Sequence, residues 1–204
     1  MSVAGAPDAQ PRRTEHKART RQALVDAALD LVAERGFDAI TTDDIAAAAG
    51  VSPRTFFRYF ATKESVLLFG EDDFVTSFTD VYLAQPADLS EIDAVSASFS
   101  SLAPGVTRLH RRIRLYHQAL ASSYVLRGQE QVHHEKNVAR VAEALARRRG
   151  LSRPDAAADL LAAVSMTTVQ NVLVDWAAGP ARADLAEQID ERFALLVELI
   201  SRRT

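Results

Sequence analysis

A chain of 204 residues, 48% hydrophobic and 25% charged, has the material for a real core and the length for one domain or two small ones. It contains no cysteine, which excludes a disulfide framework, a thiolate metal site and a thiol nucleophile. The net charge of −3 argues against a protein that coats nucleic acid indiscriminately; residues 1–70 carry nine basic and nine acidic side chains, so any nucleic-acid contact must come from a local basic face.

Residues 1–13 hold glycine, two prolines and polar residues, and read as a disordered arm without an apolar run of signal-peptide length. Arg12 and Arg13 close it, either as a solvated tail or as a basic arm for a minor groove. Thr14 is placed to cap a first helix, in which Leu24, Ala27, Ala28, Leu31 and Val32 recur at helical spacing and Gly36 supplies the stop. Thr41 and Thr42 followed by Asp43 and Asp44 give a second start, with a cap and acidic residues at a helix N-terminus. The short alanine-rich helix Asp43 to Ala49 ends at Gly50. Ser52 caps the next helix and Pro53 takes its first position. That helix, short and aromatic, reaches Tyr59 or Phe60. Thr62 starts a fourth helix that runs to about Ala84, before Pro86.

Helices are expected at about 88–102, 105–126, 129–149, 153–178 and 181–202, with breaks at Pro104-Gly105, Gly128, Gly150 and Gly179-Pro180. No long segment alternates with period two, so the chain reads as all-α. Ala156 to Ala178 is the most apolar long stretch, but Asp159, Gln170, Asn171 and Asp175 mark it as a buried soluble helix rather than a membrane span.

Residues 42–60 form a helix, a glycine-bearing turn and a second helix, the helix-turn-helix pattern. Small residues Ala46 to Ala49 allow close approach, Gly50 permits a turn with positive φ, and Val51 plugs the gap. The second helix is then free to present its first residues to a major groove. The stretch ERGFDAITTDDIAAAAGVSPRTFFRYFATKESVL, Glu34 to Leu67, resembles the N-terminal signature of the TetR/AcrR family of repressors. The likeness covers about residues 17–68; the remainder is similar in helical layout and length.

That resemblance implies an N-terminal three-helix helix-turn-helix domain at 14–62, joined by a long helix to a helical ligand-binding and dimerisation domain at 63–204. It also implies a homodimer, a palindromic double-stranded operator and a small-molecule effector. Carried over by position, Thr42 caps the first helix of the motif and touches a phosphate. Arg54 reaches guanine O6/N7 or a phosphate, and Thr55 a thymine methyl or a phosphate. Phe57 stands where the family often has a phosphate-binding tyrosine and lacks its hydroxyl, leaving it divided between packing and DNA surface. Tyr59 stands where histidine is common, Arg58 points to the backbone, and Lys63 is placed for a phosphate. Phe56 and Phe60 are expected in the core.

Further along, the helix over 153–178 is apolar around most of its circumference, and a second subunit is the natural cover for what its own chain leaves bare. With the narrower stripe of the last helix this gives an expected dimer interface of Val164, Val172, Trp176, Leu185, Ile189, Phe193, Leu196 and Ile200. Phe78, Tyr116 and Tyr124 offer aromatic lining for a ligand. Thr167, Gln170 and Asn171 would orient that ligand, or bond to neighbouring helices or across the dimer. The segments AQPAD and LHRRIRLY resemble the mycofactocin-type regulators of the same family, which implies an apolar or acyl-CoA-like effector. Arg108, Arg111, Arg112 and Arg114 are then phosphate partners, or simply an exposed basic face.

Enzyme readings find no support: there is no P-loop, dinucleotide fingerprint or nucleophile elbow. His133, His134 and Glu135 are neighbours on a helix and point apart, and His110 and His117 lie two turns apart, so neither a metal nor another cofactor is expected. The expectation is therefore a cytoplasmic, non-membrane, ligand-released repressor. A DNA-binding adaptor without ligand, a scaffold that has lost DNA affinity, and an activator remain open alternatives.

Overall fold

The computed structural model describes residues 9–68 and 70–202, with side chains from Glu15 onward except those of Glu71 and Asp72. The fold is all-α, with no strand among the described residues. The chain divides into two compact units near residue 70. An expected boundary at 62/63 would leave the fourth helix with the second unit; the observed division leaves it with the first.

In the first unit, α1 (Ala9–Arg35) buries Leu24, Val25, Ala28, Leu29 and Val32 along one stripe. It begins at Ala9, ahead of the cap expected at Thr14, so residues 9–13 are helical rather than part of an irregular arm. The side chains of Arg12 and Arg13 lie outside the described ones. After a 3-10 turn at Phe37–Ala39 come α2 (Thr42–Ala48), α3 (Pro53–Tyr59) and α4 (Lys63–Leu67). The cap of α2 is Thr41, not Thr42: its hydroxyl accepts from the Asp44 amide while Asp44 bonds the Thr41 amide, a reciprocal capping box. Thr42 is instead the first helical residue. Ile45, Phe56, Phe60, Val66 and Leu67 close the core of the unit against α1.

The turn after α2 explains why its glycine is required. Gly50 adopts φ 68; its amide bonds the Ala47 carbonyl, and the Val51 amide bonds the Ala46 carbonyl. This Schellman arrangement satisfies the last carbonyls of α2 and needs a left-handed residue at its second-last position.

The second unit contains α5 (Glu71–Leu83), α6 (Glu91–Thr107), α7 (His110–Ser122), α8 (Tyr124–Arg148), α9 (Ala156–Ala178) and α10 (Leu185–Ser201). The α5 and α10 helices flank α6, α8 packs on α5 and α9, and α7 sits against α8 and α9. Aromatic rings fill the centre: Phe99 stacks on Phe78 at 4.2 Å, Phe74 at 6.0 Å and Phe193 at 6.3 Å. Tyr82, fully buried, extends the stack from Phe78 at 5.6 Å. Burial, with Glu91 adding to it, pushes the Tyr82 phenol up to about 12.

Three expected boundaries move. The single helix expected from 62 to 84 is two, α4 and α5, separated at Gly70 with φ 102. Pro104 lies inside α6, in its last turn, where one forgone hydrogen bond does not end the helix; the break falls at Arg108 and Leu109. Gly128 lies inside α8, whose real start is Ser123, an extended residue whose hydroxyl accepts from the Leu126 amide. Arg127 finishes the corner by donating to the carbonyls of Leu120 at 3.1 Å and Ala121 at 3.0 Å, the work a terminal glycine usually does.

Candidate functional site

The α3 helix is fixed from below and open above. Ser52 accepts from the Thr55 amide at 3.2 Å, Pro53 takes the first turn, and Phe56 and Phe60 anchor the helix in the core. Positions 54, 57 and 58 share the opposite face, as a 3.6-residue repeat requires, and all three are exposed. Phe57 is 54% exposed. Thr55 is half-buried, and its hydroxyl is 3.0 Å from that of Ser52. Tyr59 is half-buried, with the Arg58 guanidinium 5.1 Å from its ring centroid. Thr42 is half-buried at the start of α2. The outward face thus carries two cations and an aromatic ring and no carboxylate of its own helix.

Lys63 has a role that the sequence pattern does not announce. Its ammonium donates to the carbonyls of Phe37 and Ile40, both at 3.1 Å, and lies 4.5 Å from the Phe37 ring centroid. Two of its three donors are therefore used to tie α4 to the 3-10 turn, and one is left for another acceptor.

The residues expected at a dimer interface are mostly interior. Val172, Trp176, Leu185, Ile189 and Phe193 are buried in the unit's own core, so they offer no surface to a partner. Trp176 even spends its indole N–H on the Ala183 carbonyl, at 2.9 Å. Val164 and Leu196 are half-buried, and Ile200 is 64% exposed. The exposed stripe overlaps the expected interface only at half-buried Val164 and at Ile200: it comprises Leu160, Ala163, Thr167, Asn171 and Val174 on α9, with Leu160 66% exposed, and Leu195, Leu199 and Ile200 on α10. The ion pair Arg192–Asp175, at 3.2 Å, joins the two helices beside these stripes. Periodicity finds a helix's apolar face without saying whether its own chain or another covers it; the large residues go to the core.

The expected ligand-lining residues do not converge either. Phe78 is locked in the aromatic stack, Tyr124 is 85% exposed with the Arg127 guanidinium over its ring, and Thr167 and Asn171 lie on the bare stripe of α9. Gln170, half-buried, donates to Glu130 on α8 at 3.0 Å. Tyr116 on α7 is half-buried, and beside it His117 has its pKa lowered by burial, which favours the neutral ring. On α9, Ser165 is fully buried and its hydroxyl has no partner among the described residues. A shallow groove of about 580 Å³ between α6 and α10 is rimmed by Asp93, Asp190 and Glu198, with Asp190 accepting from Ser96 and Ser100. Its carboxylates make it a poor seat for an anion. On α7, Arg111 and Arg114 are exposed and Arg112 half-buried, and Arg108 is exposed just before that helix. Among the described residues no three His, Asp or Glu side chains gather as a metal would need.

Comparison with known proteins agrees with this division. Residues 24–68 match the family described as bacterial regulatory proteins, tetR family, and residues 89–201 match the MftR C-terminal domain. The chain is 34% identical over 101 residues to the HTH-type transcriptional regulator TcmR of Streptomyces glaucescens, a match covering 50% of this chain and 45% of TcmR. It is 39% identical over 57 residues to the putative mycofactocin biosynthesis transcriptional regulator MftR of Mycobacterium tuberculosis, covering 28% of this chain and 29% of that one. The chain thus spans less than half the length of the curated relatives it matches. Among solved structures, Thermus thermophilus FadR, a TetR family transcriptional repressor in complex with lauroyl-CoA, is similar with TM-score 0.58 and 27% identity, over 87% of this chain and 93% of FadR.

Proposed function

The chain belongs to the TetR family of bacterial regulatory proteins, and on that footing we propose that it is a transcriptional repressor that binds a palindromic operator as a homodimer and is released by a small molecule. The observation that carries the reading is the face of α3: Arg54, Phe57 and Arg58 exposed together on a helix whose other side is pinned by Phe56 and Phe60. A helix so held enters a major groove without first reorganising.

Within residues 14–62, Arg54 and Thr55 contribute base contacts, while Thr42, Arg58 and Tyr59 set register on phosphates. Lys63 adds its remaining proton. Across the subunit boundary, the bare stripes of α9 and α10 pair with those of a second copy. Two reading heads then stand roughly 34 Å apart, one turn of DNA, and read two half-sites. The effector domain, the second unit from residue 70 onward, takes its ligand among α7, α8 and α9, where Tyr116, Ser165 and Gln170 supply polar anchors. FadR's lauroyl-CoA makes acyl-CoA thioesters the first class to test, with the arginines at and before α7 as phosphate partners. Ligand weakens DNA binding only as far as it prefers the non-binding state, and such coupling is typically about 1–3 kcal/mol. The site of action is the cytoplasm.

Selection of duplexes from a random library at low salt tests the reading. A palindrome with half-sites about ten base pairs apart should be enriched, and an acyl-CoA panel should include a compound that releases it. Recovery of no preferred duplex would contradict DNA recognition; a stable complex untouched by every thioester would remove that effector class alone.

A further inference from the structure

The outward face of α3 carries one group that phosphate chemistry leaves unused. Phe57 stands on that face beside Arg58 and one turn from Arg54, 54% exposed. It is not loose: its ring meets that of Phe56 edge to face, with centroids 5.3 Å apart and an interplanar angle of 83°. Phe56 is fully buried, so the exposed ring rests on a fixed base. A phenyl ring has neither donor nor acceptor, and so bonds no phosphate oxygen and no polar base edge. The apolar group that base pairs display in the major groove is the C5-methyl of thymine, and it is there to be met by apolar side chains. Thr55, the other candidate for that methyl, is half-buried and offers less apolar surface than the exposed ring.

We propose that Phe57 is a specificity-determining residue that packs against the C5-methyl of a thymine in each half-site. The inference rests on the DNA-binding reading above. Arg58 holds the helix by charge, Arg54 makes its own base contact, and the ring selects a T·A pair where a hydroxyl-bearing residue would have been spent on the backbone. A half-site read in this way contains a thymine whose methyl, and not merely its pairing edge, is required.

The test replaces thymines of the selected operator, one symmetric pair at a time, with deoxyuridine, which pairs identically but lacks the methyl. Fluorescence anisotropy reads affinity for wild type, Phe57→Ala and Phe57→Leu. At one position uracil should weaken wild-type binding by about fourfold per half-site, the worth of one buried methyl. Phe57→Ala should bind the thymine and uracil duplexes equally, and Phe57→Leu should keep part of the preference. Because the ring is about half exposed and touches Phe56 only edge to face, both variants should stay folded, with at most a few degrees lost from the thermal midpoint. Wild type indifferent to uracil at every position, or Phe57→Ala discriminating as well as wild type, overturns the proposal while leaving operator binding intact. Failure of wild type to bind any duplex would instead strike the DNA-binding reading itself.

Discussion

Lys63 spends two protons inside its own unit, on the carbonyls of Phe37 and Ile40. Lys63→Met should therefore cost about 2 kcal/mol in denaturant unfolding, since a charged donor to two carbonyls is lost, of which that of Phe37 keeps the Ile40 amide. A lysine acting only on DNA would leave stability unchanged. This contact was not legible in the sequence because it joins residues 26 and 23 positions apart, a distance no helical repeat encodes. Asp44 was half legible: the acidic residue near a helix start was plain, its partner was misplaced by one residue. The Thr41 hydroxyl and then the Thr41 amide hold its carboxyl below the ordinary 3.8. A depressed folded-state value stabilises above the unfolded value, and the contribution fades as pH falls through the folded one. Asp44→Asn should accordingly flatten the acid limb of a stability–pH curve between about pH 4 and the lower folded value; an unchanged limb would remove Asp44 from the capping box.

At the scale of elements, glycines act with opposite signs. Gly50 sits at φ 68 with nothing within 4 Å of where a Cβ would stand, so Gly50→Ala meets only backbone strain and should cost about 1 kcal/mol. Gly128 lies inside α8, also with open space around it, so Gly128→Ala should stabilise by about 0.5–1 kcal/mol. Chemical denaturation checks both, and equal signs would contradict the assigned turn and helix. The segment from Thr41 to Phe60 was readable because each boundary carries its own local chemistry: cap, glycine, serine, proline. The α7–α8 corner was not, because its stop is the Arg127 side chain reaching back to Leu120 and Ala121. Gly70, which divides α4 from α5, has the look of a tolerated helical glycine until its φ is known.

For the whole molecule, the all-α class followed from spacing and breaks and the two-part organisation from the family resemblance, whereas the outward stripe followed from neither. Large apolar residues such as Trp176 and Phe193 have the spacing of an interface and are core. Smaller Leu160 and Leu199 remain outside. Leu160→Glu with Leu199→Glu should shift the protein from dimer to folded monomer by sedimentation; a persisting dimer would clear these stripes. Phe193→Ala should instead lower stability by about 3–5 kcal/mol, as cavity formation in a core does.

The central claim, that the outward face of α3 enters a DNA groove, is tested most directly by the salt dependence of operator affinity. Measured from low to physiological salt, Arg58→Ala should bind more weakly and reduce the slope of log affinity against log salt by about two, one phosphate contact per protomer. An affinity and slope identical to wild type would contradict it.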